Sequence, residues 1–299
     1  MTRYHLFKII SEKIFLIFLA IVIIYLTSCS KDIFQAENPK FIYFNDIQVK
    51  PKTSEGANTH KIVDLWVYAD GQLVGAFDKN KLIPVLSKND EIELNIFAGI
   101  RANGVKQNPQ LYFMLDDINI TTNNKKGTID TLNAIFTYSE NAKFAFIEDF
   151  EGGCIFNKDL DSDSTSSIIR SKNQPISGQY TGLMSMNKEH PFIQVTSGTN
   201  FYSIPATGYS TFLELDYKCN IDFIVGLLGQ DKTTGKEYQN DVMYINKKEA
   251  WNKIYIDLTK PIQDSGLGLY KIYFSCEHEE KNSISEVYID NVKLLYLKK

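Results

Sequence analysis

From residue 40 onward, apolar positions recur with a period near two, the spacing of strands, and not with the 3.6 of a helix. Phe41-Ile42-Tyr43-Phe44, Ile62-Val63-Asp64-Leu65-Trp66-Val67-Tyr68 and Glu91-Ile92-Glu93-Leu94-Asn95-Ile96-Phe97 are rich in aromatic and β-branched residues, and several alternate as half-buried strands should. Asp70-Gly71 between Tyr68 and Leu73 predicts a tight hairpin turn. Turn signals recur at Ser87-Lys88-Asn89-Asp90 and Arg101-Ala102-Asn103-Gly104. A second set of strands begins near Phe144–Glu151 and, after a polar Ser-rich loop over 157–173, continues at 182–186, 211–217, 223–228, 253–258, 270–276 and 286–297. No helical period of three or more turns appears after residue 29. The pattern predicts an all-β chain of two tandem β-sandwich domains, residues 40–141 and 142–299, with the boundary at Asn141-Ala142.

The first 28 residues follow a different rule. Arg3, Lys8 and Lys13 precede an uncharged apolar run from Ile14 to Leu26, which leads through small residues to Cys29. The run is about 13 residues, against the roughly 20 that a membrane-spanning helix needs. Basic, apolar and small segments in that order read as a secretory signal peptide. Leu26-Thr27-Ser28-Cys29 resembles a lipobox, which implies cleavage after Ser28 and lipid on Cys29. Residues 1–28 are then the lipoprotein signal peptide and 29–39 a lipidated tether, so the membrane is a partner through the N-terminal lipid.

Charge and cysteines narrow the function classes. The chain has 36 acidic and 32 basic side chains, a net charge of −4, and no basic block, which argues against nucleic acid as a partner. Beyond Cys29, Cys154, Cys219 and Cys276 are odd in number, so at least one thiol is free. Cys219 and Cys276 sit in strand-like runs and either pair across a sheet or, with Cys154, remain buried thiols. The sequence carries no Gly-x-Ser-x-Gly elbow, no His-Glu-x-x-His helix and no phosphate-cradling glycine loop. Asp116-Asp117 and Glu148-Asp149 read as strand neighbours pointing to opposite faces, not as a catalytic pair across a cleft. Asp159-Leu160-Asp161-Ser162-Asp163 opens like a calcium loop, but Ser164 and Arg170 replace the Gly and Glu an EF-hand requires, leaving a solvated loop. The expectation is a protein that is not an enzyme.

Four motifs in order carry a family resemblance: Asp149-Phe150-Glu151, Ser177-Gly178-Gln179-Tyr180-Thr181-Gly182, Trp251-Asn252-Lys253-Ile254-Tyr255-Ile256-Asp257-Leu258 and Val287-Tyr288-Ile289-Asp290-Asn291-Val292. They make residues 142–299 resemble the galactose-binding-like jelly rolls that recur as carbohydrate-binding modules. That resemblance implies a structural Ca²⁺ at Asp149, Glu151 and Asp290, where the first and last strands meet; ordinary turn and edge acids are the alternative. It also implies glycan recognition. Aromatic platforms on loops would cover a sugar's C–H face while amides read its hydroxyls, with Tyr202, Tyr209, Tyr238 and Asn240 as candidates. Trp66 and Trp251 read as core.

Trp66–Gly75, with Ile83-Pro84-Val85-Leu86 after it, is similar to small surface sandwiches of the PEGA or carboxypeptidase-regulatory type, an Ig/transthyretin-like fold. As a whole the chain resembles two-domain lipoproteins of Bacteroidota. In these, a Ser/Lys/acidic run such as Ser30-Lys31-Asp32 after the lipidated Cys implies an outer-membrane lipoprotein exposed at the cell surface. The functional expectation is non-catalytic glycan binding through the C-terminal jelly roll, residues 142–299. The alternative is an accessory subunit that binds a protein partner in an outer-membrane complex.

Overall fold

The computed structural model describes residues 38–198 and 200–298. The expected signal peptide, Cys29 and nearly all of the expected tether lie outside the described residues. Residues 40–299 form one compact unit.

Its first half contains β1 (Lys40–Val49), β2 (Asp64–Ala69), β3 (Gln72–Asp78), β4 (Leu82–Val85), β5 (Glu91–Arg101), β6 (Pro109–Leu111), β7 (Ile118–Asn123) and β8 (Ile129–Phe136). They form a three-stranded sheet, β4-β1-β8, and a five-stranded sheet, β3-β2-β5-β6, with β7 also on β5. The second half contains β9 (Lys143–Glu148), β10 (Lys158–Asp159), β11 (Ile169–Ser171), β12 (Thr181–Met186), β13 (Phe192–Thr196), β14 (Tyr202–Ser203), β15 (Tyr209–Cys219), β16 (Phe223–Asp231), β17 (Glu237–Ile245), β18 (Lys248–Asp257), β19 (Gly268–Glu277) and β20 (Ser285–Lys298). Its two six-stranded sheets run β11-β12-β20-β15-β18, with β9 on β20, and β10-β13-β19-β16-β17, with β14 on β19. Among the described residues the one α-helix is α1 (Thr259–Ser265), stopped by Gly266 in the left-handed conformation at φ 62°. The chain is all-β, two sandwiches in tandem.

Alternation in the sequence becomes the two sides of each sheet. On β5, Ile92, Leu94, Ile96, Ala98 and Ile100 are buried while Glu91 and Glu93 face water. Asp70 and Gly71 both take positive φ, 50° and 76°, so β2 and β3 are joined by the type I′ turn that matches strand twist. The polar loop over 157–173 adds two short strands, β10 and β11, and β17 is a strand that hydrophobic periodicity misses, because Glu237–Asp241 are all exposed. Cys154, Cys219 and Cys276 are free thiols. Reduction is therefore expected to leave the melting temperature unchanged; a downward shift with dithiothreitol would show a bridge.

Each half has its own core, and the first recruits Phe212, Tyr255 and Leu295 from the second. On β15, Leu213 and Leu215 fill the second core, so Phe212, Glu214 and Asp216 must face the first sandwich. Glu214 is fully enclosed there. Its Oε1 accepts the hydroxyls of Tyr112 at 2.7 Å and Tyr138 at 2.9 Å, and its Oε2 lies 3.2 Å from Lys253 Nζ. Lys293 Nζ donates to Ala57 O at 2.9 Å and to Tyr138 at 3.1 Å. Burial alone would raise the pKa of Glu214, but the two lysines and the two hydroxyls outweigh it and hold the carboxyl below its ordinary range. Charged groups thus join Phe212, Tyr255 and Leu295 in holding the halves together.

Candidate functional site

Residues of both halves line a groove of about 1070 Å³ where the two sandwiches meet. Leu65, Val67 and Ala69 take the core side of β2, which turns Trp66 and Tyr68 outward. Phe97 is the cross-strand partner of Trp66 on β5 and faces out for the same reason. Phe97 meets Tyr68 edge-on at 5.5 Å and Phe113 at 6.4 Å, and Phe113 is 55% exposed. The same groove is lined by Gln110, Asp116, Asp117, Asn141 and Asp257.

Neither tryptophan is core: Trp251, read as core from its strand, is partly exposed outside both cores, with its indole N–H donating to Gln174 O at 3.1 Å. Trp66 is not a core residue, because its neighbours on either side already fill the core; its shielded indole N–H has no acceptor in the protein. Asp116 and Asp117 do not alternate across a strand. They precede β7, in irregular chain, and both wall the groove. Ring surfaces in one groove with carboxylates and amides suit a ligand with apolar C–H faces and many hydroxyls.

A smaller groove of about 320 Å³ lies on the outer face of β13-β19-β16-β17, between Phe192, Ile224, Tyr244, Ser275 and Glu277. Farther along this face Gly226 leaves room for the Tyr273 ring, since a Cβ there would stand 2.0 Å from the ring's Cζ. The Tyr273 hydroxyl donates to Asp241. Gln239 on β17 donates to Gln194 Oε1 on β13 at 3.1 Å, over the two strands between them, so the face is concave.

The residues singled out from sequence lie elsewhere. Tyr202 is half-buried on β14 with its ring 5.0 Å from Phe146, and burial raises its hydroxyl pKa. Tyr209 opens β15 against Tyr296 at 5.8 Å. Tyr238 and Asn240 are exposed on β17, alternating with Gln239 and Asp241 and so on the other side of the strand. None of the four lines either groove.

The three acids with a suggested calcium role have separate local tasks. Asp149 Oδ1 accepts the N–H of Glu151 at 3.0 Å. Glu151 Oε1 accepts the N–H groups of Gln179 and Tyr180 at 2.7 and 2.9 Å, under the Gly178 turn, where a Cβ would come within 2.3 Å of it. Asp290 is fully buried beside its cross-strand partner Asp216, with Oδ1 accepting the Asn291 N–H at 2.7 Å and Oδ2 unpaired. Among the described residues no three His, Cys, Asp or Glu side chains group to hold an ion. Asp161 and Asp163 tie their own loop to Ser166, Gln194 and His190.

Burial, reinforced by the charge of Asp216, pushes the Asp290 pKa up to about 7 from an ordinary 3.8, against the pull of the Asn291 N–H. A folded pKa above the unfolded one means the fold prefers the protonated acid. Stability is therefore lost as pH rises from about 4 through about 7. Asp290→Asn is expected to raise the melting temperature at pH 8 and to leave it unchanged at pH 4. An equal shift at both would contradict the assignment.

The chain matches no model of a known protein family and no curated protein. It is similar to solved structures of carbohydrate-binding modules. One is from work on promiscuous specificity in the β-sandwich superfamily, at 14% identity over 77% of this chain and 84% of that one, with a TM-score of 0.37. Another is the family 30 module of a Clostridium thermocellum cellulosomal cellulase, at 13% identity over 51% and 96%, with a TM-score of 0.39. A third, TmCBM61 in complex with β-1,4-galactotriose, has 12% identity over 51% and 95%, with a TM-score of 0.34. At scores this low neither fold nor ligand is carried over to this chain, and the architecture rests on its own strand order.

Proposed function

We propose that this protein is a lipid-anchored envelope protein that binds a glycan without chemical turnover. The observation that carries the reading is the junction groove. There the rings of Trp66, Phe97 and Phe113 share one concavity with Gln110, Asp116, Asp117, Asn141 and Asp257. A sugar presents an apolar face and a rim of hydroxyls, and this lining supplies a counterpart to each. The concave outer face of the second sandwich, with exposed Phe192 and Tyr244, is a further surface of the same character. The anchor is supported by the order of basic, apolar and small residues ending at Cys29. It would hold the sandwiches at the outer membrane, facing the medium.

Two experiments test this reading. Metabolic labelling with a palmitate analogue is expected to mark the wild-type chain and not Cys29→Ser; equal labelling would remove the anchor. A glycan array probed with full-length protein in detergent, with calcium and with a chelator, is expected to give saturable hits. Loss on chelation would support a bound Ca²⁺ at Asp149, Glu151 and Asp290. Silence in both, from folded protein, would favour the protein-partner reading and direct the search to crosslinking in the native envelope.

A further inference from the structure

A third cavity, about 400 Å³, opens at the junction with a different lining. Five of its side chains are cationic, Lys61, Arg101, Lys106, Lys248 and Lys253, and none is acidic, in a chain whose net charge is −4. Two of the five are already matched. Arg101 pairs with Asp64 at 2.5 Å, and Lys253 with Glu214. The other three are not. Lys61 Nζ donates only to the neutral Asn252 Oδ1, at 2.5 Å, and Lys106 and Lys248 have no ion pair among the described residues.

The fold brings this about. Lys61 enters β2, Lys106 follows β5, and Lys248 opens β18, so three distant segments place uncompensated charge around one opening. The surroundings are those of a saccharide site, with Asn103, Asn246 and Tyr244. Tyr244 is 69% exposed and also walls the smaller aromatic groove on the second sandwich. Asn103 accepts the N–H of Asp257, a wall of the large aromatic groove, at 2.8 Å, so the cavity and that groove share one stretch of chain.

We propose that this cavity receives the oxyanion of an acidic saccharide, a uronate carboxylate or a sulfate ester, on Lys61, Lys106 and Lys248. This rests on the glycan reading and names the ligand's charge.

The test is calorimetric titration of full-length protein in detergent with neutral, uronate-bearing and sulfated oligosaccharides of equal length. Wild type is compared with Lys61→Gln/Lys248→Gln. Both lysines are exposed, so the fold is expected to persist. The acidic ligands are expected to bind roughly five- to tenfold more tightly than the neutral one, with the advantage fading at high salt. The double variant is expected to erase that advantage and to leave neutral binding unchanged. Whichever acidic ligand shows the effect identifies the anion. Neutral binding with no acidic preference, or a preference that survives in the variant, overturns the inference and leaves the glycan reading standing. Inorganic sulfate binding as tightly as the sulfated saccharide overturns the saccharide class. No binding by any of the three overturns both readings.

Discussion

Glu214→Ala is expected to destabilise the protein by about 3–5 kcal/mol, the usual cost of leaving a buried charge without its partner. Glu214 is 1% exposed and Lys293 is fully enclosed, so removing the carboxylate strands the Lys293 ammonium where water cannot reach it and leaves Lys253 only its longer contact with Asp216. It also removes the acceptor of two tyrosine hydroxyls from separate segments of the first half, Tyr112 just after β6 and Tyr138 just after β8. In urea the midpoint should fall without a change in slope if residues 40–299 unfold as one unit. A loss below about 1 kcal/mol would mean that the pair sits in surface-like dielectric. A second transition would mean that the halves unfold separately once the junction is cut. Because Lys253 also approaches Asp216 at 3.7 Å, single substitutions here will not be additive.

Phe113→Ala is expected to weaken binding of an array-selected oligosaccharide by at least about tenfold, or about 1.4 kcal/mol, the scale at which an anchoring aromatic counts in an interface. Phe113 is the informative position because over half its surface is exposed, so truncation leaves the core intact. Trp66→Ala should cost more affinity, but it also strips a partly buried ring from β2 and mixes binding with stability. Unchanged affinity in Phe113→Ala, with an unchanged melting temperature, would move the ligand off the groove.

The fold was largely legible because strand alternation is a local property. Ile92 to Ile100 announces a buried face whatever lies across from it, and Asp70-Gly71 announces its turn. Edge strands such as β17 were not legible, since a strand paired on one side only can be polar throughout its exposed stretch. The proposed binding surfaces were less legible still. Trp66 looks like core when read alone, and only the places taken by Leu65 and Val67 turn it outward. The basic cavity could not be foreseen from a net acidic composition, because Lys61, Lys106 and Lys248 lie far apart in sequence and meet only when the two sandwiches join. Tyr202, Tyr209, Tyr238 and Asn240 were reasonable loop candidates by residue type, but three of them fall within regular strands and Tyr202 in a two-residue bridge, where pairing fixes the direction of each side chain.

The most direct test of non-catalytic glycan binding at the junction is a crystal structure of the protein with the oligosaccharide that the array selects. The expected result is an intact chain of sugars with one ring against Phe113 and Trp66 and its hydroxyls on Gln110, Asp116, Asp117 or Asp257. A saccharide cleaved in the crystal, or one bound away from this groove, would contradict it.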